Sequence, residues 1–258
     1  MSRSNPNSNA LNPAVRWHEW NGEKGTVRYY DKDAKQNMDV PLPFTFLLLD
    51  ELATVKGWHD LSDSGIYANE VRDTRTDILV VKAFKGGTLA EGIYKDIKDR
   101  VNSVGGQFVA NCYVGFKNGA EGLHIGSLRF KGAALGAWME FRKQHRRDLY
   151  DKAVDITGYT EGKKGRIVFR VPTFSLRDVS VKTNDIARAL DIELQDFLTA
   201  YFSRRTADQT ETPAPSADGA GDSYPDSAQG EPLTDDDIPF GWLMPLVLPA
   251  LGLMGWMA

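Results

Sequence analysis

Four histidines and one cysteine are the side chains from which metal or nucleophilic chemistry would first be built. His18, His59, His124 and His145 are widely spaced and fall on different expected elements. No HExxH, no CxxC pair and no acid-rich calcium loop accompanies them, so neither a metal nor any other cofactor is expected. Cys112 lies in an alternating apolar run, which reads as a buried structural thiol. A single cysteine also rules out an intramolecular disulfide and fits a reducing cytosol. Gly86-Gly87 and Gly105-Gly106 lack the context of a phosphate-cradling loop and read as turns. Asp96 with Asp99, and Asp148 with Asp151, sit among Lys and Arg on helical segments, where carboxylates are solvated charges rather than an acid–base pair. The residues point away from an enzyme.

The chemistry they do favour is binding. Aromatic rings alternate with bases in several strand-like runs. A ring offers a stacking surface worth about 1–3 kcal/mol per base whatever the base, while neighbouring Lys and Arg track a phosphate backbone. The runs are Arg16-Trp17-His18-Glu19-Trp20, Arg28-Tyr29-Tyr30, Lys82-Ala83-Phe84-Lys85, Tyr113 with Phe116 and Lys117, and Arg166-Ile167-Val168-Phe169-Arg170. From them the candidate nucleic-acid contacts are Trp17, Arg28, Tyr30, Lys82, Lys85, Tyr113, Lys117, Arg166 and Arg170. Trp58, in the turn-like Lys56-Gly57-Trp58-His59-Asp60, is added as an exposed platform. Strand alternation puts Ile78, Val80, Lys82 and Phe84 on one face, and Arg28 with Tyr30 on one face with Tyr29 opposite. Trp138, Phe141, Phe197 and Phe44 read as core. The basic run 142–147 reads as a solvated helix face that can serve as an electrostatic rim.

The elements that must position these side chains are mostly short strands. Residues 14–20 and 25–31 flank Asn21-Gly22-Glu23-Lys24 as a hairpin. A continuous apolar run over 44–49 predicts a strand buried on both faces. Strands follow over 66–71 and 77–84. Helical spacing covers 89–104 through Ile93, Ile97 and Val101. Residues 107–117 and 122–130 around Asn118-Gly119 carry the strongest hairpin signal. A helix over 133–150, a strand pair over 154–159 and 165–174, and an amphipathic helix over 184–202 complete the body. The expected fold is mainly β with helices (α+β), an OB-like antiparallel β-barrel with helical decoration followed by a disordered acidic C-terminal tail. The chain divides into a flexible arm over 1–12, this domain over 13–205, an acidic linker over 206–234, a tip over 235–240 and an apolar extension over 241–258.

Charge divides the same way. Nine of the 35 acidic residues lie beyond Arg205 and none of the 31 basic ones, which leaves a surplus of five bases before that point and hides it within a net charge of −4. A basic body with an acidic appendage suits a protein that holds a polyanion reversibly.

The tip, Asp235-Asp236-Asp237-Ile238-Pro239-Phe240, closely resembles the acidic tip of the bacterial single-stranded DNA-binding (SSB) family. That resemblance implies a partner-docking peptide. Pro239 holds an extended backbone, Ile238 and Phe240 are apolar anchors, and the aspartates suit a basic rim around a replication or recombination protein's pocket. In that family the final Phe also presents its α-carboxylate; here 241–258 follow, so docking is left to side chains. The body carries no motif of the SSB core and looks instead like phage single-strand binders in its order of barrel, linker and tip.

The function these readings predict is a cytoplasmic single-stranded DNA-binding protein, phage-encoded, that coats exposed strands and recruits partners through its tail. Self-association into a homo-oligomer is compatible with it. Two alternatives remain open at this point. One is a phage recombination strand-annealing protein or its accessory. The other is a membrane-associated interaction protein anchored by 241–258, which is apolar but interrupted by Pro245 and Pro249 and lacks flanking positive charge.

Overall fold

The structure, a computed structural model, describes residues 11–119 and 122–208. The first hairpin is β1 (Arg16–Asn21) and β2 (Thr26–Asp31). Asn21 closes its turn by accepting from the Glu23 N–H at 3.0 Å, and Gly25 supplies the left-handed φ of 71° that the turn needs. β3 (Gln36–Val40) then pairs with β2, although its exposed polar residues carry no strand pattern.

β4 (Phe44–His59) is sixteen residues long and reaches well past the apolar run of 44–49. A bulge between Leu48 and Asp50 interrupts its ladder and breaks the alternation that would have revealed its length. A 3₁₀ turn at Asp60–Ser62 leads to β5 (Ser64–Ala68), then β6 (Leu79–Ala83) and β7 (Gly87–Gly92). The helix expected over 89–104 starts later, as α1 (Tyr94–Ser103), because residues 87–92 pair with β6. Ile97 and Val101 are its buried stripe, as their spacing predicts.

β8 (Gly106–Lys117) and β9 (Leu123–Lys131) form the expected hairpin. α2 (Gly132–Gln144) buries Leu135, Trp138 and Phe141. β10 (Ala153–Lys164) and β11 (Ile167–Arg177) are a longer pair than expected. Last is α3 (Val181–Asp208), whose apolar stripe docks through Leu194, Phe197 and Leu198.

The described residues are therefore mainly β with three α-helices. The strand order β3-β2-β1-β9-β8-β4-β5-β6-β7 is open between β3 and β7, and β10 pairs with the start of β4, residues 44–47, with β11 outside it. This departs from the expected antiparallel barrel in two respects. The order does not close, and the sheet is mixed because β1 runs parallel to β9. More than a hundred residues separate β1 from β9, long enough a connection for the chain to return in the same direction.

Both faces are used. On one, β1, β8 and β9 pack against α2 and β11 around Trp20, Leu128, Phe130, Trp138 and Phe141. The Phe130 and Trp138 rings stack with centroids 5.3 Å apart. α1 packs on the same face further along, against Val55, Ile66 and Val81. The opposite face carries α3 over Leu52, Tyr113 and Ile125. Glu51 ties α2 to the sheet, accepting from Trp138 Nε1 at 2.8 Å and pairing with Arg142. Arg142, the first base of the 142–147 run, is thus committed to an ion pair, while Lys143, Arg146 and Arg147 are exposed. Among the described residues no helix is long and apolar enough to cross a membrane. The linker beyond residue 208, the acidic tip and the apolar extension lie outside the described residues, as does most of the arm over 1–12.

Candidate nucleic-acid interface

Strand register sorts the candidate residues. Leu52 packs under α3, so the alternation of β4 directs Thr54, Lys56 and Trp58 to the face on which α3 lies. Cross-strand partners continue that face in both directions. Lys56 stands opposite Gln107 on one side and Tyr67 on the other; Tyr67 stands opposite Lys82, and Lys82 opposite Thr88. Trp58 stands opposite Gly65, and the Phe84 ring lies over Gly65. Phe84 and Tyr67 are 4.6 Å apart between ring centroids. Trp58 is 39% exposed and Phe84 50%, so two rings present free surface beside Lys56 and Lys82.

At the other end of the same face, Glu19 is opposite Arg28 on β2 and Arg129 on β9. Trp17 and Tyr30 share this side of the hairpin, and Lys131 lies further along β9 on the same side. A cleft of about 250 Å³ opens at this edge of the sheet, lined from this side by Trp17, Glu19, Arg28, Tyr30 and Arg129 and from the other by Arg16, His18 and Tyr29, with Asp31, Lys32 and Asp33 also in its wall. Arg16 places its guanidinium 4.0 Å from the centre of the Tyr29 ring, a cation–π contact that orients both. Counting from β2 to β6 there are six inter-strand spacings, about 29 Å measured along the sheet.

Two acids on this face, Glu19 and Glu70, are held by hydrogen bonds. Glu19 accepts from Arg28 Nε at 2.6 Å. Glu70 receives Tyr113 Oη–H at 2.7 Å and the Asn111 amide. Burial raises the Glu70 carboxyl above its usual range, against the pull of those hydrogen bonds and of the Arg129 charge. The same burial, with the neighbouring Glu70, raises the Tyr113 phenol.

Of the residues the sequence singled out, Trp17, Arg28, Tyr30, Trp58 and Lys82 fall on this one face, and Lys85 is exposed just past the end of β6. Trp58 belongs to a strand rather than a turn. Lys117 is exposed at the far end of β8, beside the hairpin turn. Tyr113 is a correction. It is fully buried beneath α3 with its hydroxyl engaged by Glu70 and Asn12, so it offers no face for stacking. Its place in the middle of a strand between apolar neighbours is what buries it. Arg166 and Arg170 lie apart, on the β10–β11 hairpin. Asp235, Asp236, Asp237, Ile238, Pro239 and Phe240 are outside the described residues.

Sequence reasoning left out Lys56, Tyr67, Phe84, Arg129 and Lys131 as contacts. Phe84 shares an alternation face with Lys82 and was legible; Tyr67 and Arg129 come into the site only through pairing with other strands. Among the described residues no three His, Cys, Asp or Glu side chains gather as a metal site. No family model, no curated protein and no solved structure matches this chain.

Proposed function

We propose that the protein binds single-stranded DNA along the aromatic and basic face of its sheet, coats exposed strands, and recruits replication or recombination partners through residues 235–240. The observation that carries this reading is the register that sets Trp58, Tyr67 and Phe84 beside Lys56 and Lys82 on the same face as Trp17, Tyr30, Arg28 and Arg129. Rings supply base stacking without sequence choice and the bases supply phosphate contacts. The sheet spans about 29 Å from β2 to β6, with α3 over its middle at Leu52 and Tyr113, so the two exposed groups are the ends of a contact that several nucleotides would have to bridge. Two contacts support an OB-like reading of the β1-β9-β8-β4-β10-β11 run. Trp20 Nε1 donates to the Arg170 carbonyl at 2.8 Å and the Arg170 N–H to the Gly22 carbonyl at 2.7 Å, which bring the ends of that run together.

The test is a fluorescence titration with oligo-dT across a salt series. Affinity is expected to fall steeply with salt, because bound phosphates release counterions. Trp58→Ala and Phe84→Ala should each weaken binding by about 1–3 kcal/mol with little change in melting temperature, since both rings are exposed. Absence of salt-sensitive binding by the wild-type chain would remove the proposal.

A further inference from the structure

We propose that the outer part of the β10–β11 hairpin is a second contact for the phosphodiester backbone of nucleic acid, separate from the aromatic face. It rests on the reading of the protein as a nucleic-acid binder, and concerns a part of the molecule which that reading leaves without a role.

The pairing of β10 with β4 ends at Ile156. From Gly158 opposite Thr173 to Lys164 opposite Ile167, seven further residue pairs join β10 and β11 only to each other. A lone two-stranded ribbon is marginally stable in water, and here it is fastened midway, at Arg170 opposite Glu161. Arg170 donates its N–H to the Gly22 carbonyl, its Nη1 to the Glu23 carbonyl, and sets its guanidinium over the Tyr159 ring at 5.2 Å. The tip therefore leaves the body in a set direction, past the β1–β2 turn. Further in, Phe174 and Leu176 of β11 pack with α2, on the side of the sheet away from the aromatic face.

Composition selects the occupant. Residues 160–170 contain four bases and one acid, and that acid, Glu161, is paired with Arg170 at 3.1 Å. Lys163, Lys164 and Arg166 stand exposed around the turn at Gly165. Ile167 and Val168 beside them are 43% and 48% exposed. Three clustered cations on a narrow ribbon complement a polyanion, and a two-stranded ribbon is a shape that nucleic-acid grooves admit. A strand lying on the aromatic face and continuing beyond it, or a duplex adjoining it, presents the same phosphodiester chemistry.

The experiment compares the full chain with its Lys163→Ala/Arg166→Ala double variant on three probes. These are a dT oligomer of about 8 nucleotides, one of about 30, and a hairpin duplex with a single-stranded overhang of about 8. Both substitutions are at exposed tip positions and leave Gly165 in place, and an unchanged melting temperature verifies folding. The short oligomer should bind equally well to both proteins. The long oligomer, the junction or both should bind the variant about tenfold more weakly near 0.1 M salt, with a salt slope smaller by about 1.4 if the contact is to single strand and about 1.8 if it is to duplex. Loss on the long oligomer alone identifies the same strand farther along; loss on the junction alone identifies duplex. Equal binding of all three probes overturns the proposal, as does equal loss on all three, which would put the tip inside the first site. A changed sedimentation mass with DNA binding untouched would make the hairpin a contact between copies and overturn it too. Failure of the wild type to bind any probe speaks instead against the single-strand reading.

Discussion

His18 shows how a side chain expected to be near a binding site serves the fold instead. It is buried, edge-on to Phe116 with centroids 4.7 Å apart and next to Tyr29 and Phe44. Burial, reinforced by the Arg16 charge, pulls its pKa down from the ordinary 6.5 to about 4, while a hydrogen bond to the Ser127 backbone works the other way. The folded state therefore disfavours the imidazolium. Above the unfolded-state value both states hold neutral His18 and there is no penalty. As pH falls from 6.5 to about 4 the unfolded chain takes up a proton that the folded one refuses, and stability drops by about 3 kcal/mol. Denaturant melts over that window should show the decline, and His18→Gln should flatten it even if the variant is less stable throughout. An unchanged decline in the variant would assign it to carboxylates. Trp17 makes a related point: it lines the cleft but also packs against the cluster beneath α3. Its replacement by Ala would mix lost stacking with lost core, which is why Trp58 and Phe84 are the cleaner probes.

At the scale of elements, the site depends on how closely β4 runs beside β8. Gly57 stands opposite Gly106, and a Cβ added to it would lie 2.1 Å from the Gly105 carbonyl oxygen. Backbone cannot yield there as a flexible side chain would. Gly57→Ala should separate the two strands locally and lower stability by about 1–3 kcal/mol or more, measured as a fall in the urea midpoint. Because Trp58 is the next residue, oligo-dT affinity should fall with it. A variant of wild-type stability would mean that this close approach is not maintained. α3 is the other element with two duties. Its inner turns seal Leu52, Tyr113 and Ile125, while Arg72 of the β5–β6 connection reaches across to Gln195 at 3.0 Å and to Asp50 at 2.9 Å. Those bonds fasten the loop that carries Glu70, and with it the buried polar row beneath the proposed strand path.

At the scale of the whole molecule, eight of the acidic residues lie beyond the last described residue, Asp208, facing a body with a surplus of bases. On the single-strand reading those carboxylates compete with phosphates for the same cations. Deleting 209–258, which leaves α3 whole, should tighten oligo-dT binding severalfold, by about 3–10 times in low salt. The difference should vanish as salt screens both partners; equal affinities in dilute buffer would discount the competition. How much of this was legible beforehand follows from the range of each interaction. Alternation and helical spacing are local, so the two hairpins about residues 21–24 and 118–119, the buried stripe of α1 and the pairing of Lys82 with Phe84 on one face were readable along the chain. The division of charge was readable for the same reason, since it needs only the order of residues. Tertiary structure alone decided that Tyr113 is sealed, that Trp58 stands on a strand beside Lys56, that Tyr67 and Arg129 join the candidate face, that β1 lies parallel to β9, and that the bases of the β10–β11 hairpin stand apart from the rest. Each of these depends on which strand lies next to which, and cross-strand neighbours are tens of residues apart in the chain, where no local period records them.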